Sequence, residues 1–230
     1  MKNYFTRDTI KRILKDREVR KTILLLACAV VLLIAFWFVG LFKQPRHYKT
    51  VRPSTDNHIS QYLSNYIVPQ IHNKSQYDQP FDLVISEAGV NDIIAAQIDA
   101  NSLKRSNISD LSVTFKPGKI YLTGKTTYAG FDFVITMILK PYIDSQGRFF
   151  INASKIQAGK SRIPFAAEAV KRKILYELAG ISGDADTAAV FASLLASDGI
   201  KPEFSINHRK LCVDEIAVRD QNLLLHFNPQ

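Results

Sequence analysis

The 230-residue sequence predicts an α+β fold: one N-terminal transmembrane helix followed by an antiparallel, curved sheet packed with amphipathic helices. Three observations predict it. The first is an uncharged, almost entirely apolar run over residues 22–42. The second is a series of segments in which apolar and polar residues alternate, which indicates β-strands. The third is a pair of segments whose apolar residues recur at helical spacing.

Residues 22–42 are long enough to span a bilayer as a helix. At about 1.5 Å of rise per residue the run reaches about 30 Å, the thickness of a hydrocarbon core. It is longer than the apolar core of a cleaved signal peptide and lacks a small-residue cleavage site, so we expect a retained signal-anchor. Lipid attachment at Cys28 is disfavoured because the apolar run continues well beyond it. A soluble core helix is disfavoured because every face is apolar.

Basic residues flank the span on both sides, more densely before it. Residues 1–21 contain eight Lys or Arg, and residues 43–52 contain four. The positive-inside rule then favours a cytoplasmic N-terminus and an extracytoplasmic C-terminal domain. The chain divides into a basic tail (1–21), the transmembrane helix (22–42), a linker (43–54) and an extracytoplasmic α+β domain (55–230).

The net charge of +9 belongs to the flanks of the span and not to the domain. Of the 30 basic and 21 acidic residues, 12 basic and three acidic ones lie in residues 1–52, which leaves 18 of each sign in residues 53–230. Basic flanks are expected to lie against anionic lipid. A neutral domain argues against nucleic acid as a partner. Two cysteines, Cys28 and Cys212, make no disulfide framework, so burial must stabilise the domain.

Two amphipathic helices are predicted on either side of the first strand. Apolar residues at helical spacing over 55–68 predict a helix that ends before Pro69. Residues 80–86 are typical of a strand, and Ser86 is expected to cap a helix beginning at Glu87. Each helix has a single apolar face, so we expect each to cover a sheet.

A meander of four strands with short turns follows, over residues 111–157. Its long third strand places five apolar residues on one face: Phe131, Phe133, Ile135, Met137 and Leu139. Where a curved sheet encloses an apolar cavity, such residues line it. The alternative is that they are simply core.

Beyond the meander, the sequence predicts a helix from Pro164 to Gly180, an alanine-rich helix ending at Gly199, and three short strands over 202–228. Five basic residues bracket the start of the first of these helices. They are the candidate contact with a lipid head group or phosphate, and the alternative is a solvated helix face: Lys160, Arg162, Lys171, Arg172 and Lys173.

Catalytic and cofactor motifs are absent from the sequence, including dinucleotide-binding and P-loop glycine patterns, metalloprotease and paired-cysteine motifs, and a nucleophile elbow. His208 and Cys212 lie over about 12 Å apart in an extended segment, too far for a thiol and its base. The acidic residues Asp184, Asp186 and Asp198 lack further spaced ligands for a cation. We therefore expect a non-enzymatic protein with no catalytic residues, no metal and no cofactor.

From Pro80 to Leu178 the chain carries the segments FDLVISEAGVNDIIA, LSVTFKPGKIYLTGK and LKPYIDSQGRFFINASKIQAGKSRIPF. Their order resembles the YpmS-like proteins, which are membrane-anchored bacterial proteins of unsettled function, and more distantly the tubular lipid-binding (TULIP) domains of bacteria. The resemblance implies helices against a curved antiparallel sheet and a non-enzymatic role in lipid handling. It covers under half of the chain and leaves out the C-terminal strands.

Two functional hypotheses follow. In the first, a single-pass, membrane-anchored protein binds a lipid or another apolar ligand in its extracytoplasmic domain. In the second, the domain is an envelope scaffold or assembly module that binds protein partners through a sheet edge or a helix.

Overall fold

The structure is a computed structural model that describes residues 17–45, 48–51, 59–97, 108–128, 130–162, 199–206 and 209–230. Helices in these ranges are α1 (Arg17–Phe42), α2 (Val68–Lys74) and α3 (Glu87–Gln97). The strands are β1 (Phe81–Ser86), β2 (Ile108–Lys116), β3 (Lys119–Tyr128), β4 (Phe131–Ile143), β5 (Phe149–Ala158), β6 (Ser161–Arg162), β7 (Glu203–Ile206), β8 (Arg209–Arg219) and β9 (Asn222–Pro229). This composition confirms the predicted α+β class. The two helices predicted over 164–199 lie outside the described residues.

Helix α1 contains the apolar run and is long and apolar enough between Lys21 and Phe42 to cross a membrane. Its side chains from Lys21 to Val39 are exposed. A core helix of a soluble protein would bury them, and among the residues that the structure describes none covers these side chains.

The strands pair into two antiparallel sheets. The larger has the order β2-β3-β4-β5-β6 and contains the predicted meander. The smaller has the order β1-β9-β8-β7, which places the first strand of the domain beside its last. The three predicted C-terminal strands are confirmed, but the sequence did not indicate that they form a second sheet with β1.

Strand β4 connects the two ends of the domain. Its 13 residues extend over about 40 Å. The first of them, Phe131, lies beside the end of α1, and the last, Ile143, packs against the core of the smaller sheet. Strand β4 therefore links the end of α1 to the core of the smaller sheet.

Two clusters of buried apolar side chains stabilise the domain. One lies between the smaller sheet and the helix that precedes it, and its buried members are Ile67, Leu83, Leu211, Val213 and Phe227. The other joins β2 to β8 under α3, and its buried members are Val113, Phe115 and Val218. The amphipathic helices thus cover sheets, as their single apolar faces predict.

The helix before β1 continues past Pro69, so the prediction that it ends there was wrong. Residues Leu63–Ile67 adopt a π-helix, in which Val68 N–H donates to the Leu63 carbonyl, and α2 then runs to Lys74. Pro69 occupies the first turn of α2, where a helix needs no N–H donor. The π-turn changes the hydrogen-bond spacing just before the proline, which lets the chain stay helical.

Helix α3 covers the outer edge of β2. Ser86 caps the helix as predicted, because its Oγ accepts a hydrogen bond from Gly89 N–H at 3.0 Å. The Asn91 side chain pairs with Val113 as a neighbouring strand would: its Oδ1 accepts from Val113 N–H and its Nδ2 donates to Val113 C=O, both at 2.8 Å. One carboxylate oxygen of Glu87 accepts from Phe115 N–H at 2.9 Å. Side chains therefore satisfy the backbone groups of a sheet edge.

We expect Asn91→Ala to destabilise the protein by about 2–3 kcal/mol, because it leaves a buried N–H and a buried C=O unpaired. Urea denaturation of the full chain in detergent, followed by circular dichroism, measures this. The matched control is Asn152→Ala, an exposed position on β5, which should cost less than about 0.5 kcal/mol. Equal losses in the two variants would contradict the role given to Asn91.

His226 and Asp82 face each other across the β1–β9 pair, with Nδ1 and Oδ1 2.6 Å apart. The Asp82 carboxylate raises the pKa of His226 above its ordinary value, with a smaller contribution from Asp214 and Glu215. Because the folded-state pKa is raised, the stabilisation is complete below the unfolded value of about 6.5 and is lost as pH rises through the folded value.

We therefore expect the free energy of unfolding to fall as the pH rises above about 6.5 and through the raised pKa of His226. Denaturation at a series of pH values measures it. Asp82→Asn keeps the histidine and removes its partner, so it should abolish this part of the pH dependence. An unchanged pH profile in Asp82→Asn would show that the pair does not contribute.

Candidate functional site at the end of the apolar helix

The last residue of α1 packs directly on the larger sheet. The Phe42 ring lies 5.8 Å from the Phe131 ring and 5.1 Å from the Phe133 ring, measured between centroids. Leu41, beside it, is buried. The apolar surface of the helix therefore continues without a break onto β4.

The turn between β5 and β6 binds the C-terminal end of α1. Ser161 Oγ donates to the Trp37 carbonyl at 3.0 Å, and Lys160 N–H donates to the Gly40 carbonyl at 2.9 Å. A helix leaves its last four carbonyls without partners inside the helix, and Lys160 supplies a partner for one of these, that of Gly40, while the Trp37 carbonyl lies one turn earlier. We call Trp37–Phe42, Phe131–Phe133 and Gly159–Arg162 together the helix–sheet junction.

Gly159 allows the close approach at the junction. Its φ is +56°, in the left-handed region, and its N–H donates to the Val134 carbonyl at 2.7 Å. A Cβ on this residue would collide with the backbone carbonyls of Gly40 and Leu41. The sequence Ala-Gly-Lys-Ser therefore forms the turn and also contacts the C-terminal end of α1.

The linker after the span is also attached to the domain. Lys49 Nζ lies 2.8 Å from Glu87 Oε1, and the Glu87 side chain is only 6% exposed. Burial, together with the nearby Asp110 carboxylate, raises the pKa of Tyr48 to about 12. The linker thus follows the edge formed by α3 and β2.

The five predicted ligand-lining residues lie on one face of β4, as their alternation requires. Phe131 is 58% exposed and Met137 is 1% exposed, and the other three are half-buried. In the cross-strand register Met137 stands opposite Leu122, and Leu139 stands opposite Ile120, so this face continues into the cluster under α3. The face runs from an exposed end at the junction to a buried end inside the domain.

The opposite face of the same sheet is also buried, and it is polar at its centre. Ser112, Thr123 and Thr136 stand in register across β2, β3 and β4, and each is at most 1% exposed. Thr123 and Thr136 share a hydrogen bond of 3.2 Å between their hydroxyls. Sequence reasoning did not single out this row, although its alternation with apolar residues was visible.

Lys160 and Arg162, two of the five candidate head-group contacts, lie at the junction and are exposed. Lys43, which immediately follows α1, is also exposed. Lys171, Arg172 and Lys173 lie outside the described residues. The structure therefore places two of the five predicted basic residues at the end of the apolar helix.

Reactive side chains are sparse in the described part of the chain. Burial raises the pKa of the Cys212 thiol, and Glu203 opposite it on β7 acts in the same direction, which keeps the thiol protonated. His208 lies outside the described residues. Among those that are described, His, Cys, Asp and Glu side chains form no group of three able to hold a metal ion.

Comparison with known proteins gives little. The chain matches no family model and no curated protein. A crystal structure of a lipopolysaccharide binding protein matches at 12% identity, with a TM-score of 0.26, over 78% of this chain and 51% of that chain. The chain spans about half the length of that structure. A likeness at this TM-score carries no argument, so the resemblance to YpmS-like and TULIP-type proteins stays a prediction.

We expect Gly159→Ala to release the helix from the sheet, because the added Cβ meets the backbone of α1. Gly147→Ala is the matched control, since Gly147 also has a left-handed φ, +71°, but its Cβ would point into open space. Each change costs about 1–2 kcal/mol for the backbone conformation alone. Only Gly159→Ala should destabilise further and shift the emission of Trp37, the single tryptophan. Equal stability and equal Trp37 emission in the two variants would contradict the close contact between Gly159 and α1.

Proposed function

We propose that this protein is a single-pass membrane protein whose extracytoplasmic domain binds a lipid or another apolar ligand. The proposed binding surface is the face of β4 that carries Phe131, Phe133, Ile135, Met137 and Leu139. The observation that carries the proposal is the continuity of apolar surface from Phe42 at the end of α1, through Phe131 and Phe133, to the interior of the domain. The dense basic flank before the span supports a cytoplasmic N-terminus.

The gradient of burial along β4 supports a path for an acyl chain. Phe131 at the junction is exposed, Ile135 is half-buried, and Met137 is fully buried. An acyl chain that moves from the hydrocarbon core onto this face keeps its methylene groups out of water. Burial of each methylene group contributes about 0.8 kcal/mol of favourable free energy. The transfer needs neither a catalytic residue nor a cofactor, and we propose a non-enzymatic role.

A photocrosslinking residue at Ile135 tests this function. We place p-benzoylphenylalanine at Ile135 in the full chain, irradiate native membranes, and determine the mass of the adduct. The control position is Val84, an exposed apolar residue on β1 of the smaller sheet. We expect lipid adducts at position 135 and none at position 84.

Two outcomes would overturn the ligand proposal. One is the absence of lipid adducts at position 135 in a chain that still reaches the membrane. The other is equal adduct formation at positions 135 and 84, which would indicate random collision with lipid. Native mass spectrometry of the unmodified full chain, released from mild detergent, provides an independent measurement of a retained lipid.

The scaffold hypothesis has one favouring observation. Strand β7 is the last strand of the smaller sheet, and Phe204 on it is exposed. An edge strand with an exposed aromatic residue is suited to strand addition by another protein. The same photocrosslinker at Phe204 would then yield a defined protein adduct, and lipid adducts at position 135 would be missing.

A further inference from the structure

We propose that the domain itself binds the surface of an anionic bilayer, through Phe131 as an apolar anchor and Lys43, Lys160 and Arg162 as head-group contacts. The inference rests on the membrane anchoring proposed above and extends it. In this arrangement the domain is not only tethered by α1 but also contacts the membrane surface, with the exposed end of β4 facing the lipid.

The Phe131 ring lies beside the last residue of the proposed span. If α1 spans the bilayer, its last residue, Phe42, marks the level at which the hydrocarbon ends. The Phe131 ring centroid lies 5.8 Å from that of Phe42, so Phe131 is at the same level. The Phe131 ring is 58% exposed, and the membrane–water interface is a more favourable environment for such a ring than water.

The hydrogen bonds of the junction fix the basic residues at this level too. Lys160 and Ser161 bond the carbonyls of Gly40 and Trp37, so their turn cannot lie far from the end of the span. Arg162 follows directly. A phosphate or other anionic head group within reach of α1's end therefore meets exposed cationic side chains.

Charge supports an anionic surface as the occupant. Within the described residues, Lys43, Lys160 and Arg162 form no ion pair with a carboxylate, whereas Asp132, the acidic residue next to Phe131, is paired with Lys125 at 2.7 Å. Among the described residues, the charge of the basic side chains around the end of α1 is therefore not compensated by a paired carboxylate. A protein partner would have to compete for this surface with the lipid that surrounds the same helix.

Tryptophan fluorescence in nanodiscs tests the proposal with the full chain. The parent protein contains one tryptophan, Trp37, whose quenching by brominated lipid reports whether α1 is in the bilayer. In a Trp37→Phe background we introduce Phe131→Trp, and as a matched control Tyr142→Trp. Tyr142 is 46% exposed and lies eleven residues further along β4, about 36 Å away.

We expect Phe131→Trp to lose emission in brominated lipid and to shift to the blue, and Tyr142→Trp to do neither. In the Phe131→Trp chain, adding anionic lipid should increase the blue shift. Lys160→Gln with Arg162→Gln should remove that increase, whereas the exposed distal pair Lys119→Gln with Lys140→Gln should leave it unchanged.

Quenching at position 131 that is no greater than at position 142, together with quenching of Trp37 in the parent protein, would overturn this proposal and leave the anchoring intact. An unquenched Trp37 in the parent protein would overturn the anchoring itself. A response to anionic lipid that survives the Lys160 and Arg162 substitutions would overturn the head-group assignment.

Discussion

The arrangement of this protein depends on how the last turn of α1 is held. A helix end has carbonyls without partners, and in a setting with little water those carbonyls must be bonded by protein. Lys160 N–H donates to one of them, that of Gly40, and the Ser161 hydroxyl donates to the Trp37 carbonyl one turn earlier, while the Phe42 ring packs against β4. These contacts, made to two separate parts of the larger sheet, hold the helix and the domain in one orientation. The Lys49–Glu87 ion pair adds an attachment from the linker.

The segment Glu87–Asn91 has structural roles in this fold. Glu87 and Asn91 bond the backbone of β2, and Gly89 lies against the ring of Tyr62, where a Cβ would not fit. The Tyr62 hydroxyl in turn accepts a hydrogen bond from Ser86 N–H at 2.9 Å. These residues assemble the helix pair on the sheets, and none of these contacts implies a reaction.

Local patterns in the sequence predicted the local elements well, because alternation and helical spacing are set by the side chains of one segment. The meander, the Ser86 cap and the C-terminal strands follow from such patterns. The helix through Pro69 did not, since a π-turn compensates for a proline in a way that composition does not reveal. The pairing of β1 with β9 depends on residues far apart in sequence, such as Asp82 and His226. The junction at Gly159 was equally hidden, because a glycine in a turn gives no sign of which distant backbone it accommodates.

The side-chain covering of β2 has a consequence for how copies of this protein behave together. If α1 holds the protein in a membrane, as proposed, copies are concentrated in two dimensions and aligned, so that like surfaces meet repeatedly. An open strand at the flank of the larger sheet would then recruit the same strand from a neighbour. Because Asn91 and Glu87 already occupy the hydrogen-bonding groups of Val113 and Phe115, that flank offers a neighbouring copy little to pair with. The covered edge of β2 therefore does not favour self-association through the larger sheet.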